Sequence, residues 1–178
     1  MKNSRHENGF TLIELLTVMT IIGILAALVL GVTGHAYKKA KINRAKAEIA
    51  ALENALESYK NDNGYYPAST ATRVNPGPNS VILYYALTSG PKQFFPFKPN
   101  QIQDGGGSIT VVINCINSTL RNVMVVDPFG KPYEYFCKPR CGAGTDGQTN
   151  AATFDLWSYG PDGLNDEGTN DDITNWRQ

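Results

Sequence analysis

At 178 residues the chain has room for one domain and an appendage, and its 16 Lys and Arg balance 16 Asp and Glu. Zero net charge removes any global field that would favour nucleic acid or an acidic substrate. The average conceals an uneven layout: aliphatic residues crowd into the first third, while Gly, Asn and Asp are concentrated in the last.

The first long apolar stretch, "GFTLIELLTVMTIIGILAALVLG", occupies positions 9–31, and between positions 10 and 34 only Glu14 is charged. About twenty residues span a bilayer as a helix, and a segment that is apolar all round is not the surface helix of a soluble domain. A secretory signal peptide would have a shorter apolar region ending in a small-residue cleavage site. Here leucine and valine continue past Ala26 and Ala27, so a retained membrane helix is expected over 10–34. Lys2 and Arg5 precede the run, whereas Lys38, Lys39, Lys41, Arg44 and Lys46 follow it. By the positive-inside rule alone, this bias puts the carboxyl-terminal side in the cytoplasm.

Over 35–63 the helix is expected to continue in amphipathic form. Ile42, Ala45, Ile49, Leu52, Leu56 and Tyr59 recur at spacings of three and four, the stripe of a helix with one buried face. Arg44 to Glu48 and Glu53 to Glu57 fall on the polar face. No proline interrupts 11–63, and Gly64 supplies a stop.

After "NGYYP", Pro67 forbids immediate resumption of the helix. Residues 68–108 read as irregular and turn-rich around "VILYYAL", which suits a short helix or a strand equally. "SITVVINCI" and "RNVMVVDP" predict strands from their β-branched content. Phe129-Gly130-Lys131-Pro132 predicts a turn joining Val125 and Val126 to Tyr133–Tyr135 in a hairpin, and "FDLWSYG" predicts a further, alternating strand. A long helix followed by strands packing on one helical stripe is an α+β layout with a small antiparallel sheet. There are no internal repeats.

Cys115, Cys137 and Cys141 all lie outside the apolar run, and an odd number leaves at least one outside any intrachain disulfide. Cys137 and Cys141 bracket Lys-Pro-Arg, where a small bridged loop suits an oxidising compartment, with the pairing open. Zinc is not expected, since no second Cys or His pair follows at ligand spacing.

The stretch at 159–176, "YGPDGLNDEGTNDDITNW", gathers Asp162, Asp166, Glu167, Asp171 and Asp172 among glycines and asparagines. Calcium takes about six to eight oxygen ligands, and this composition supplies them. The spacing is not that of an EF-hand, and solvated Asp-Gly and Asn-Asp turns account for the same composition.

Catalysis has few handles. His6 lies before the apolar run and His35 at its end, so a Ser-His-Asp or Cys-His set is not expected. The acidic residues crowd into a turn-rich tail rather than facing a cleft as a carboxylate pair. "GGGS" lacks the lysine and helix of a phosphate loop. No enzymatic activity and no small-molecule substrate are expected.

The short charged leader, Gly9, Phe10, and Glu14 within "GFTLIELLTVMTIIGILAALVL" together resemble the type IV prepilin family, which includes the pseudopilins of type II secretion. The resemblance implies that residues 1–9 are a leader removed by prepilin peptidase between Gly9 and Phe10. The new amino terminus at Phe10 would then be N-methylated. It further implies that 10–34 forms the core of a helical filament, where Glu14 pairs with the amine of a neighbouring copy. The implied location is the inner membrane, crossed once, with the globular domain in the periplasm, opposite to the orientation read from the charge bias.

"NGYYP", "DPFGKPYEY" and "WSYGPDG…NDDITNW" are similar to segments of the major pseudopilins. That similarity implies a globular pseudopilin domain over 64–178, with a variable insertion at 68–122 that matches nothing recognisable. It implies a structural subunit that works with other pseudopilins and inner-membrane secretion components to promote export of folded proteins. It also implies one structural calcium in the acidic loop, with carboxylates from Asp162, Asp171 and Asp172 and main-chain carbonyls from Tyr159, Leu164 and Thr169. Asp166 or Glu167 could substitute for any of these. A type IV pilin or minor subunit, serving adhesion, motility or DNA uptake, is the alternative within the family. A membrane-anchored periplasmic binding domain that never polymerises is the alternative outside it.

Overall fold

The computed structural model describes residues 10–68, 79–113, 116–137, 149–150 and 152–177. Gly9, Cys115 and Cys141 lie outside them, as does most of "ASTATRVNPGPN". Two compact units are present, Met1–Lys39 and Ala40–Gln178, and the first helix, α1 (Leu12–Asn63), contributes to each.

In the first unit α1 exposes large apolar side chains along its described length, among them Leu12, Leu16, Ile22 and Leu28. Among the described residues no helix is long and apolar enough to cross a membrane. The transmembrane part of the expectation for 10–34 therefore rests on the sequence alone.

In the second unit the expected stripe forms the floor of the core. Ala45, Ile49, Leu52, Leu56 and Tyr59 are buried, joined by Ala55, with Ile42 packed at the edge. Arg44 pairs with Glu48 at 2.9 Å one turn on, as the spacing predicts. Glu53 departs from the polar-face expectation: it is half-buried beside Asn175, and burial pushes its carboxyl pKa up. The helix ends where Gly64, at φ 80°, donates its N–H to the Lys60 carbonyl at 2.6 Å.

"VILYYAL" belongs to a helix, α2 (Asn79–Thr88). Its β-branched residues favour a strand in isolation, and burial decides the matter. Val81, Ile82, Leu83 and Leu87 are all fully buried, and α2 packs against two of the strands that follow, β2 (Ile116–Val125) and β3 (Glu134–Phe136).

The first strand, β1 (Ile102–Ile113), begins six residues before the expected Ser108, inside a stretch that reads as irregular. It pairs antiparallel with β2 from Ile102↔Val125 to Ile113↔Ile116, with a register shift between Asp104 and Ser108. The Gly105–Gly107 run that looks like a loop is a bulge within a two-stranded ribbon. Asp104 braces the bulge: its carboxylate accepts the Gly106 N–H at 3.0 Å and pairs with Arg121 on β2.

The expected hairpin is present but brief. Val126 bridges Pro132, and the Tyr133 N–H donates to the Val125 carbonyl at 2.9 Å. β3 then leaves β2 and joins β4 (Asp155–Ser158), which pairs with β5 (Ile173–Thr174), giving an antiparallel sheet of order β3-β4-β5. All four residues of β4 are buried, so the alternation expected of "FDLWSYG" is absent. Both of its faces are covered: Leu156 packs into the core over α1, while Trp157 joins Phe136 and Tyr159 under Trp176. The architecture is α+β, a long amino-terminal helix with small antiparallel sheets.

Candidate functional site

Two regions carry candidate chemistry. At the amino-terminal one, Phe10 is exposed and α1 opens two residues later. The Thr11 hydroxyl accepts the Glu14 N–H at 3.3 Å, and a Glu14 carboxylate oxygen accepts the Thr11 N–H at 2.8 Å. The Thr11 hydroxyl also donates to that carboxylate at 2.8 Å. This is a capping box, in which two backbone donors orphaned at the helix start are satisfied reciprocally. Threonine followed three places later by glutamate, ahead of an apolar run, is its sequence signal, and the resemblance-based reading of Glu14 passed over it.

The acidic region begins where β4 ends. Gly160, at φ 66°, lies so close to the returning chain that a β-carbon there would sit 2.2 Å from the Asp171 carbonyl oxygen. At the far end Gly168, at φ 81°, lies against the Trp176 ring, where a β-carbon would come within 2.1 Å. Only glycine fits either place. The Trp157 indole N–H donates to Asn165 at 3.0 Å, and the Arg177 guanidinium donates to the Gly168 carbonyl at 3.1 Å. The loop is thus held to β4 at its middle and to the segment after residue 174 near its end.

Within this frame Asp162, Asp166 and Asp171 each offer a carboxylate oxygen, and all three oxygens lie within 4.8 Å of one another. A calcium ion bonded at about 2.3–2.6 Å spans such a triangle. Asp171 accepts the Asp162 N–H at 3.1 Å through one oxygen, while its other is buried and has no hydrogen-bond partner. Asp172 turns one oxygen to the N–H groups of Asp166 and Gly168, at 3.1 and 2.7 Å, and its other oxygen is likewise buried and unpartnered. Burial is the main cause that pushes the Asp172 carboxyl up to about 6, with Asp166 and Asp171 adding to the rise against the lowering effect of those N–H groups. Two orphaned buried lone pairs beside three converging carboxylates suit a hard cation.

Of the residues expected to ligate, Asp162 and Asp171 therefore come together, and Asp166 stands in the third place with Asp172 beside it. The Thr169 carbonyl accepts the Asp172 N–H at 3.0 Å, and its hydroxyl donates to the Asp166 carbonyl at 2.6 Å. The Leu164 N–H donates to Asp162 at 2.8 Å, and its side chain is exposed. The Tyr159 phenol donates to Glu134 at 2.6 Å.

Two buried carboxylates beneath the loop escaped the sequence reading. Asp127 accepts the N–H groups of Phe129 and Lys131, at 2.9 and 2.8 Å, and the Ser158 hydroxyl at 2.5 Å. Its signal was available: Asp-Pro-x-Gly is a turn sequence whose first side chain bonds the backbone ahead of it. Glu134 accepts Tyr159 and, at 3.3 Å, the side-chain amide of Asn79. Nothing local marks it. Burial pushes both carboxyls up in pKa.

A long amino-terminal helix with an exposed apolar first unit, joined to a small α+β unit, defines a pilin-like subunit. Residues 4–30 match the prokaryotic N-terminal methylation motif, and residues 33–74 match type II secretion system protein G. The type II secretion system core protein G of Escherichia coli is 33% identical over 176 residues, covering 99% of this chain and 95% of the relative. That of Pseudomonas aeruginosa is 34% identical over 173 residues, covering 97% and 96%, and that of Aeromonas hydrophila 32% over 172 residues, covering 97% and 94%. No solved structure matches the chain. The chain belongs to the type II secretion system core protein G family.

Proposed function

We propose that the chain is the major structural subunit of a type II secretion pseudopilus, a periplasmic filament that promotes export of folded proteins. The observation that carries this reading is near full-length similarity to relatives named as core protein G, together with a single acid in the apolar run. The role is architectural: the chain is a substrate of processing rather than a catalyst.

Prepilin peptidase cuts between Gly9 and Phe10, and the new amino group is methylated. Before assembly, residues 10–34 anchor the chain once through the inner membrane, which the exposed apolar side chains of the first unit support. A charge within lipid costs several kcal/mol unless it is paired. Glu14 already turns its carboxylate toward the amino-terminal end of α1, at the Thr11 N–H. In the filament the same carboxylate meets the Phe10 amine of an adjoining copy and fixes register, the best-attested use of a buried ion pair.

Calcium closes the acidic loop. Asp162, Asp166 and Asp171 would hold it, with Asp172 next to them and backbone carbonyls of the loop completing the shell. The ion would supply charge neutralisation to the crowded carboxylates.

Co-expression with prepilin peptidase tests the central step. The expected mature mass is that of a chain starting at methylated Phe10, and Glu14→Gln is expected to be processed yet to form no filaments. Filament formation and export at wild-type levels by that variant would overturn the register role.

A further inference from the structure

Three elements distant in sequence meet at the carboxylate of Glu134. It is only 2% exposed on β3, and it receives the Tyr159 phenol at 2.6 Å and the Asn79 side-chain amide, from the first residue of α2, at 3.3 Å. Tyr159 is the last residue before the acidic loop turns, and Gly160 follows it in close contact with the Asp171 backbone. Asp171 is one of the three converging carboxylates. A displacement of Tyr159 is therefore passed through Gly160 to a candidate ligand, because the gap between them has no room for adjustment.

The preceding residue is held in the same manner. The Ser158 hydroxyl donates to Asp127 at 2.5 Å and accepts the Gly160 N–H at 3.1 Å. Both residues that lead into the loop are thus tied to buried carboxylates on the hairpin beneath it. For stability alone this is a poor arrangement, since apolar residues of similar volume often replace buried charged groups at no loss. Its return lies in geometry: short hydrogen bonds to a charged acceptor fix a phenol in place more tightly than packing does.

We infer that Glu134 is a positioning residue for the acidic loop, acting through the Tyr159 hydroxyl to set how tightly the loop holds calcium. The inference rests on the calcium reading above. It links the middle segment to the loop as well, because Asn79 of α2 shares the same carboxylate.

The test uses the full chain in detergent micelles, with calcium affinity read by displacement of terbium luminescence and melting temperature read in calcium and in EDTA. Tyr159→Phe removes one hydroxyl and nothing else. It is expected to weaken calcium binding by about tenfold or more, the scale seen when groups that orient metal ligands are lost. Glu134→Gln keeps an oxygen acceptor for the phenol and is expected to bind calcium more tightly than Tyr159→Phe. Should Tyr159→Phe not fold, Glu134→Leu takes its place with the same expected loss.

A merely structural contact gives a different result: melting temperature falls equally in calcium and in EDTA, and the calcium Kd stays at the wild-type value. That outcome overturns the inference while leaving the calcium reading intact. A wild-type chain that binds neither terbium nor calcium overturns the calcium reading itself, and the inference falls with it.

Discussion

The Tyr133 phenol donates to a Glu48 carboxylate oxygen at 2.9 Å, joining the residue before β3 to the polar shoulder of α1. Glu48 is already engaged by Arg44 one turn earlier, so phenol, carboxylate and guanidinium form a line across the edge of the core. Tyr133 itself is 1% exposed. Two substitutions separate its contributions. Tyr133→Phe removes the hydrogen bond and is expected to cost about 1 kcal/mol. Tyr133→Ala also removes the ring and is expected to cost about 3–5 kcal/mol. Chemical denaturation of the full chain in micelles, followed by circular dichroism, gives both values.

Chelation is expected to lower the melting temperature of the wild-type chain, because an ion bound only by the folded loop adds about 2.7 kcal/mol at a hundredfold excess over its Kd. Asp171→Asn removes one of the converging carboxylates and should melt at the same temperature with EDTA as with calcium. The comparison isolates the loop, since among the described residues the Asp171 side chain bonds only within it, to the Asp162 N–H. Equal melting of the wild-type chain under the two conditions would refute the metal.

How far the sequence reaches depends on the range of the contacts that decide each element. The stripe from Ile42 to Tyr59 was legible because a helix of period 3.6 repeats its buried face every three or four residues. The stop at Gly64 was legible for a similarly local reason. "VILYYAL" was not, since its own preferences conflict and burial under β2 and β3 settles it. The first six residues of β1 are not legible, because three glycines in a row signal a loop and only pairing with β2 across the bulge makes them strand.

The candidate loop divides along the same line. Its composition was visible as a run of acids holding Asp162, Asp166, Glu167, Asp171 and Asp172 alike. The convergence of Asp166 with Asp162 and Asp171 depends on how the loop folds back, and sequence spacing does not give that. Glu134 was invisible because its partners stand 25 and 55 positions away.

The cap at Glu14 and its proposed register role can be separated by a pair of variants. As the third residue of the capping box Glu14 bonds Thr11, and losing a cap of this kind costs about 1 kcal/mol of local helix stability. If capping were its whole purpose, Glu14→Gln, whose amide oxygen still accepts the Thr11 N–H, would impair filament formation less than Thr11→Val. The register role predicts a sharp difference: Glu14→Gln abolishes filaments, while Thr11→Val reduces them slightly. Neither change should alter the melting of the second unit, because the hydrogen bonds of Thr11 and Glu14 stay within the first turns of α1. Electron microscopy of filaments formed with prepilin peptidase present reads the difference directly.

Alkaline pH offers a test of the core. Burial is the main cause raising the Tyr133, Tyr135 and Tyr159 phenols above their ordinary value of 10.0, and it pushes the Cys137 thiol from 9.0 up to about 11. A folded chain therefore keeps protons that the unfolded chain gives up, so the unfolded state binds fewer protons and stability falls as pH rises. The fall begins near pH 9, where the unfolded thiol starts to ionise, and steepens through pH 10 as the unfolded phenols follow. Because the folded phenols stay protonated beyond that range, their ionisation requires unfolding. Phenolate absorbance from these buried tyrosines should appear in one step with the loss of near-ultraviolet circular dichroism. Phenylalanine at Tyr133, Tyr135 or Tyr159 should make stability fall less steeply with pH, because it removes one ionising group from the unfolded side. A phenolate signal from those three positions while native dichroism persists would show that water reaches the core between α1 and the β3-β4-β5 sheet.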